Sequence, residues 1–385
     1  MNDSPSKPTP ILTNGPLQGL RVIEMAGIGP GPFCGMLLAD MGADVIVIER
    51  PAALRTLGAG PAMNRGKRSI CLDLKTRQGQ QAVQALIHGA DALIEGYRPG
   101  VMERLGLGPE VFAAANPKLV YGRVTGWGQT GPLAQSAGHD INYVALTGAL
   151  AMAGREGVAP SLPATLLGDM AGGAMFLAFG LVCALLEAKT SGRGQVVDAA
   201  IVDGVGTLTA LIHSLRSDGL WSEQPAQNFF LHSSPFYDSF ECADGRHVTL
   251  GAIEPQFYRE LLQRLDLTDV DPDQQYDTRL WPALREQVSQ RIKSRTRDAW
   301  SDLLSGTEVC FAPVLSLAEA ASHPHQVARG NFALIDGHLQ PAASPRFSRS
   351  KTRAPQAGPA PGAHTQQILA ELELQADAVT GFERT

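Results

Sequence analysis

The sequence of this 385-residue chain predicts an α/β protein with a large parallel-sheet domain and a smaller α+β domain. In the first half, short apolar runs alternate with helical patterns, which is typical of strands joined by crossover helices. After Leu220 the pattern becomes a hairpin followed by helices, which indicates a second unit. A chain of this length also exceeds one ordinary core, so two domains are expected.

The large domain is expected over residues 16–222, behind a disordered lead-in at 1–15 that is rich in Ser, Pro and Thr. Its strands are predicted where apolar runs are bounded by turn residues, at 20–25, 45–49, 69–72, 92–95, 119–125 and 195–199. The intervening helices are predicted at 33–41, 80–88 and 170–189. Strands that alternate with helices in this way predict a Rossmann-like parallel sheet with crossover connections.

The small domain is expected over residues 223–324 and opens on a hairpin. Its two strands, at 236–240 and 247–250, flank the turn signal Ala243-Asp244-Gly245. Helices are predicted at 256–265 and 281–293. Residues 325–385 are expected to return to the large domain, first as extended chain over the Pro-rich stretch 341–361 and then as a docked helix at 365–374.

Composition excludes some classes of function. The chain has 32 Lys and Arg against 38 Asp and Glu, and the formal charge of -6 argues against a nucleic-acid-binding protein. The five cysteines are scattered and never spaced as Cys-x-x-Cys, which favours a reduced, cytoplasmic setting. No signal peptide is recognised at the N-terminus, and the apolar, Gly-rich stretch 170–186 is expected to be a buried helix rather than a membrane span.

A glycine-rich loop, Gly27-Ile28-Gly29-Pro30-Gly31-Pro32, follows the first predicted strand and resembles a dinucleotide-binding fingerprint. Glu49, at the end of the next strand, stands where the ribose-binding acid of such a fingerprint would lie. Pro30 and Pro32, however, remove two backbone N–H donors from a loop that would have to bind a pyrophosphate. The loop is therefore interpreted as a tight turn at the carboxyl end of the sheet, an edge that still binds ligands in open sheets.

Basic residues follow successive strands of the same predicted sheet. Arg50 comes directly after the second strand, and Arg98 follows the fourth. Arg104 lies in the helix after Arg98, and Lys75 is a weaker member of the group. A single residue of this kind is more often a solvated surface charge. Together they predict an anion site, because the forked donors of Arg match phosphate oxygens.

Three ionisable residues are candidates for proton transfer. His139 follows Gly138, where the backbone can approach a ligand closely. Asp169 precedes a predicted helix and Glu254 precedes Pro255, so each could instead be a helix N-cap. A base on one face of a bound carbon and an acid on the other face are what racemisation requires.

Long motifs in a fixed order make the chain resemble the alpha-methylacyl-CoA racemases, within the family III CoA-transferase superfamily. The resemblance runs from about residue 16 to residue 348 and rests on residues 27–32, 96–109, 126–132, 138–143, 168–169, 192–203 and 242–256. It implies a coenzyme A (CoA) thioester substrate, an interlocked homodimer, and chemistry that needs no metal or redox cofactor. It also implies a catalytic histidine at His139, a catalytic aspartate at Asp169 and, at Glu254, a glutamate that hydrogen-bonds the histidine.

The resemblance further implies contacts with CoA, at Arg50, Leu72, Asp73, Leu74, Lys75, Gly96, Tyr97, Arg98, Arg104, Gly138, Asp140, Ile141, Asn142 and Tyr143. The expected reaction interconverts the 2R and 2S forms of 2-methylacyl-CoA thioesters by 1,1-proton transfer through an enolate. Backbone N–H groups near Asp140 are expected to stabilise the enolate oxygen.

Two other functions remain open at this point. One is a CoA-transferase, in which an aspartate matching Asp169 attacks the thioester and forms an acyl anhydride. Those relatives typically have no histidine at the position of His139, which favours the racemase. The other is a non-catalytic thioester-binding protein, which would need neither His139 nor Asp169.

One segment departs from the pattern of the racemases. They usually read Asn-Leu-Val-Gly-Asp ahead of the aspartate, whereas this chain reads Thr165-Leu166-Leu167-Gly168-Asp169. The change replaces a polar neighbour of the carboxyl, so it bears on the pKa of Asp169.

Overall fold

Six apolar runs of the sequence form one parallel sheet in the structure, a computed structural model. The strands are β1 (Arg21–Met25), β2 (Asp44–Glu49), β3 (Arg68–Cys71), β4 (Ala92–Glu95), β5 (Val120–Thr125) and β6 (Val196–Ala200). Their order across the sheet is β3-β2-β1-β4-β5-β6, which confirms the predicted α/β class and the Rossmann-like order. The order reverses between β1 and β4, so a crevice is expected at the carboxyl ends of these two strands.

The structure describes residues 15–50, 60–155, 157–224, 227–230, 232–354 and 356–372. The lead-in expected at 1–15 lies outside the described residues except for its last residue, and so does the end of the helix predicted at 365–374.

Helices connect the strands and cover the sheet. Those of the first half and centre are α1 (Pro30–Asp40), α2 (Arg77–His88), α3 (Val101–Arg104), α4 (Pro109–Phe112), α5 (Asp140–Leu146), α6 (Ala149–Met152), a π-helical segment (Leu166–Met175), α7 (Phe176–Ser191), α8 (Ile201–Leu208) and α9 (Ala210–Ser217). Those that follow are α10 (Pro255–Arg264), α11 (Trp281–Ile292), α12 (Arg297–Leu304), α13 (Leu317–Ser322), α14 (Pro324–Ala328) and α15 (Thr365–Glu371).

Alternate residues of the central strands pack on opposite faces of the sheet. Ile23 and Ile46 pack on one face with residues of α2 and α15. Val22 and Val45 pack on the other face with residues of α1 and α7. Because both faces are covered, the strands are apolar nearly throughout, which is why they were recognisable as continuous runs.

The C-terminal segment of the structure lies against the edge strand β3 and covers it. The backbone N–H of Ser69 donates to His364 Nδ1 at 3.1 Å, and the N–H of Cys71 donates to Thr365 Oγ1 at 3.1 Å. Arg68 binds Glu371 at 2.8 Å, within a cluster of ion pairs at this edge. The edge therefore does not expose a free row of backbone donors and acceptors.

The chain forms two compact units. The first contains the six-stranded sheet and comprises the described residues up to Thr147, Pro163–Leu208 and those from Val327 onward. The second comprises Gly148–Leu162 and Thr209–Gln326. The border near Thr209 precedes the change of sequence pattern at Leu220, and a short segment before Pro163 belongs with the second unit.

The second unit contains the predicted hairpin, now β7 (Tyr237–Glu241) and β8 (His247–Gly251), and a third antiparallel strand, β9 (Phe311–Pro313). Its core is formed by these strands with α10, α11 and α12. The buried carboxylate of Asp238 accepts two hydrogen bonds from Arg155, at 2.8 and 3.1 Å, and so fastens Gly148–Leu162 to the hairpin. A separate hairpin, β10 (Phe332–Ile335) and β11 (His338–Pro341), belongs to the first unit.

The apolar stretch predicted as one buried helix differs from that expectation in two ways. It begins with the π-helical segment and continues as α7, so the helical stretch Leu166–Ser191 has 26 residues. By length and by its mean hydropathy of 1.9, this helical stretch could cross a membrane. Only 39% of its most apolar 18-residue window is buried inside the structure. One side packs on β5 and β6, while Met175, Phe179 and Leu186 on the other side are exposed.

Candidate functional site

A cavity of about 830 Å³ lies at the carboxyl ends of β1, β4 and β5, where the order of the sheet reverses. Its volume is in the range of small-molecule sites. The wall includes the turn after β1, the loop after β4 and the residues directly after β5. The position follows from the topology, because open parallel sheets bind ligands at this switch point.

Nine of the residues expected in the site line this one cavity. They are His139, Asp169, Arg50, Gly96, Tyr97, Arg98, Gly138, Asp140 and Tyr143. They come from four separate parts of the chain, and all of them belong to the first unit.

His139 is the N-cap residue of α5, and its side chain is exposed to the cavity. Its backbone N–H donates to Asn142 Oδ1 at 3.0 Å, while its carbonyl accepts the N–H of Asn142 at 2.8 Å. The hydroxyl of Tyr143 donates to the carbonyl of Gly138. These bonds fix the backbone on both sides of His139, which lines the cavity.

Asp140 joins the beginning of α5 to the π-helical segment. Its carboxylate accepts the backbone N–H of Asp169 at 2.8 Å and that of Thr165 at 3.2 Å. Gly168 makes this approach possible, because a Cβ there would lie 2.3 Å from Asp140 Oδ1. The bonds satisfy N–H groups at the start of the helical segment and place Asp169 beside the His139 loop.

The Asp169 carboxyl lies in an environment that favours its neutral form. Burial, and then the negative charge of Asp140, raise the pKa of Asp169 to about 6, while His139 lowers it. Asp169 also belongs to a π-helical segment, a rare structure that is frequent at functional sites. A carboxyl whose pKa is raised towards neutrality can exchange protons under physiological conditions.

Thr165, the position at which the sequence departs from the racemase pattern, has a left-handed backbone with φ of 65°. Asn adopts this conformation more readily than most residues, whereas a β-branched residue is strained there. Because Thr165 precedes the π-helical segment, the replacement changes backbone strain at the start of the segment that holds Asp169.

Another part of the cavity wall is basic. Arg50 and Arg98 are both exposed and line the cavity together with Tyr97. The Tyr97 hydroxyl donates to the carbonyl of Ala26 at 3.3 Å, and burial raises the pKa of Tyr97 while Arg50 lowers it. Two guanidinium groups at the cavity wall suit an anionic, phosphate-bearing ligand.

Some residues expected to contact the ligand do not line the cavity. Leu72 is fully buried in the core, and Asp73 accepts the N–H of Lys75 in the turn before α2. Arg104, on α3, and Ile141, on α5, are exposed outside the cavity wall. Leu74, Lys75 and Asn142 also lie outside it, although Asn142 supports the backbone of His139.

Glu254 belongs to the second unit. It is the N-cap residue of α10, directly before Pro255, and its side chain is exposed. It does not line the cavity described above.

Several residues of the wall had no assigned role in the sequence. Thr125 is the last residue of β5, Gly126 and Trp127 directly follow it, and Ile201 directly follows β6. The indole of Trp127 packs edge-on against Tyr143, with ring centroids 4.8 Å apart. The signal that could have identified them is their place at the carboxyl ends of parallel strands.

Comparison with known proteins agrees with the fold. Alpha-methylacyl-CoA racemase of Mus musculus is 42% identical over 379 residues, covering 96% of this chain and 98% of that protein. Succinate--glutarate CoA-transferase of Agrobacterium fabrum is 33% identical over 390 residues, covering 93% of this chain and 96% of that protein. The crystal structure of a CAIB/BAIF family protein from Brucella suis is 27% identical, covers 94% of this chain and 100% of that chain, and has a TM-score of 0.81. The model of CoA-transferase family III matches residues 17–365, and the chain therefore belongs to CoA-transferase family III.

Proposed function

We propose that the protein is a racemase that interconverts the 2R and 2S forms of 2-methylacyl-CoA thioesters. The observation that carries the proposal is the pair His139 and Asp169, which line one cavity together with two arginines. The 42% identity to a mouse protein named alpha-methylacyl-CoA racemase supports the same reaction.

The reaction is a transfer of the α-proton from one face of the substrate to the other. The thioester carbonyl makes the proton at C2 acidic enough to be removed as an enolate forms. Neutral His139 takes the proton from one stereoisomer, protonated Asp169 returns one to the opposite face, and the roles reverse for the other stereoisomer. An Asp169 pKa of about 6 supports this role, and a bound acyl group would raise that pKa further by excluding water.

The enolate and the nucleotide end of the substrate require separate stabilisation. A backbone N–H near Asp140 binds the enolate oxygen, a type of contact worth roughly 3 to 4 kcal/mol in comparable sites. Arg50 and Arg98 hold the phosphates, and Arg104 contributes from α3. Holding the nucleotide end keeps C2 in register with both proton carriers. The mechanism requires no metal or redox cofactor.

A CoA-transferase that acts through an anhydride on Asp169 is the second candidate. The 33% identity to a succinate--glutarate CoA-transferase supports it, since the fold is shared. His139 favours the racemase over this alternative, because an imidazole beside the aspartate supplies the second proton carrier that racemisation needs.

A second copy of the chain is part of the proposal. Exposed Phe179 and Leu186 on α7, with Met175 at the end of the π-helical segment, form an apolar face that a homodimer would bury. Glu254 would orient His139 within that assembly. Sedimentation analysis at micromolar concentration is expected to give a dimer, and a monomer that instead binds lipid vesicles would contradict the proposal.

The proposed setting is the cytoplasm. The five cysteines, none of them in a disulfide, support a reducing, cytoplasmic setting.

The first test uses the wild-type protein and a single chiral 2-methylacyl-CoA in heavy water, with no acceptor acid. Deuterium is expected at C2, with loss of optical purity, because the proposed reaction needs no second substrate. NMR and chiral chromatography measure the two changes. Conversion that depends on an added carboxylic acid, or an acyl or CoA adduct on Asp169 found by mass spectrometry, would favour the transferase.

Substitution of either proton carrier should separate exchange from racemisation. His139→Ala and Asp169→Asn should each slow racemisation in both directions by about a hundredfold to ten-thousandfold. Each variant should still exchange the α-proton of the one stereoisomer whose base remains, and the two variants should retain opposite stereoisomers. His213→Ala, at an exposed position on α9, is the control. Near-normal exchange of both stereoisomers in both variants would refute the assignment.

Asp140→Asn should change the pH dependence of the direction in which Asp169 delivers the proton. Asp169 must be protonated for that step, so kcat/KM should fall as the pH rises through about 6. Removing the Asp140 charge lowers the pKa of Asp169, so the midpoint should move to lower pH, while the amide oxygen still accepts a backbone N–H. Asp218→Asn is the control at an exposed helix end. A midpoint that stays in place or moves upward would contradict the prediction.

A further inference from the structure

A row of charged residues crosses three neighbouring strands behind the cavity. The strand register aligns Glu95 of β4 with Arg123 of β5, and Arg123 with Asp198 of β6. Residues aligned in this way across parallel strands project from the same face of the sheet. Arg123 therefore lies between two carboxylates at the end of the sheet that carries the cavity, although it does not line the cavity itself.

The guanidinium of Arg123 contacts three different segments of the chain. Its Nη1 donates to Gln129 Oε1 at 2.9 Å, its Nη2 donates to Glu103, and its Nε lies 3.4 Å from Glu95 Oε1. The side chain is only 10% exposed, and its guanidinium lies 5.0 Å from the centre of the Tyr121 ring. Such a rigid fork can hold several partners in fixed relative positions, which a lysine cannot do.

Each partner of Arg123 is connected to a part of the cavity wall. Glu95 Oε2 accepts the backbone N–H of Tyr97 at 2.7 Å and so fixes the loop that carries Arg98. Glu103 lies in α3, the helix that directly follows this loop. Gln129 follows Trp127 in the loop after β5, and its own N–H is held by Asp198 Oδ2 at 3.0 Å. Arg123 thus links three segments that a nucleotide-bearing ligand would touch.

The network is not arranged for stability alone. Arg123 Nε and Gln129 Nε2 are buried without a hydrogen-bond partner, and an unsatisfied buried donor costs free energy. Buried polar groups that lack a hydrogen-bond partner are most often found at functional sites. They are consistent with a cluster whose role is to hold the wall in a shape required by a ligand.

From these contacts we propose that Arg123 is a positioning residue, which holds the loop after β4, helix α3 and the loop after β5 in the arrangement that binds the anionic end of a CoA thioester. The inference rests on the proposed function. Arg123 acts through Glu95, Glu103 and Gln129, and it does not touch the substrate.

The electrostatics of Glu95 provide a readout that a purely structural role would not affect. Burial raises the pKa of Glu95 to about 7, the Tyr97 N–H and Arg123 lower it, and Glu103 and Asp198 raise it. Above that pH, ionised Glu95 attracts Arg123 and accepts the N–H of Tyr97 most strongly. The KM of the wild-type protein should therefore rise as the pH falls through about 7, and Glu95→Gln should abolish that dependence.

The test measures binding and turnover separately in Arg123→Met. The KM for the thioester and the Kd for CoA itself, measured by calorimetry, should both rise about tenfold, with kcat little changed, because contacts of this strength change an equilibrium constant by about that factor. Arg123→Lys should restore part of the affinity. Arg65→Met is the matched control, since Arg65 is 3% exposed and binds Asp40 at 2.6 Å away from the cavity wall. It should lower the melting temperature and leave the Kd for CoA unchanged.

The outcomes separate the possibilities. If Arg123→Met lowers the melting temperature as Arg65→Met does and leaves the Kd for CoA unchanged, Arg123 only supports the fold and the proposal is overturned.

If Arg123→Met does not fold, the variants Glu103→Gln and Arg123→Lys test the proposal instead. Glu103 is 44% exposed, so its substitution should leave the fold intact. Each should weaken CoA binding, and their combination should be less than additive; unchanged affinity in both would overturn the proposal. CoA binding by a wild-type protein that does not racemise would contradict the proposed function alone.

Discussion

The contact on which the site depends is the pair of hydrogen bonds from the backbone of Thr165 and Asp169 to the carboxylate of Asp140. It joins two segments that are distant in sequence, one beginning at His139 and the other carrying Asp169. Burial raises the pKa of Asp169 most, and the Asp140 carboxylate raises it further, so one group affects both the position and the protonation of the acid. Substitution of Asp140 would therefore alter the hydrogen bonds and the electrostatics of the site together.

The sheet topology explains why basic and proton-carrying residues meet in one cavity. Reversal of strand order between β1 and β4 brings the loops that follow both strands to the same crevice. The connections after β2 and β4 supply the basic wall, through Arg50 and Arg98. The long connection between β5 and β6 supplies His139 and Asp169, so binding and proton transfer are assigned to different connections of a single sheet.

Much of the sheet could be predicted from the sequence, whereas the role of Asp140 and the exposed side of α7 could not. The central strands β1, β2 and β4 were recognisable because they are buried on both faces and read as largely apolar runs. The edge strand β6 is partly exposed, so its signal was weaker. The three-residue strand β9 is too short for such a signal. The role of the Asp140 side chain could not be read from periodicity, because its partners lie 25 and 29 residues further along the chain. Likewise, the exposed side of α7 and its buried side are similarly apolar, so the pattern gave no sign that one of them would remain uncovered.

The cover over β3 has a consequence for how the protein is made. Ser69 Oγ accepts the backbone N–H of Gly362, a residue 293 positions later. During synthesis β3 therefore emerges from the ribosome long before the segment that will protect it. Until Gly362 and α15 have been synthesised, the nascent sheet has an open edge that can pair with another unfinished chain. The segment that contains Gly362 and α15 thus covers the edge of the sheet, and premature termination before Gly362 would release a product prone to aggregation.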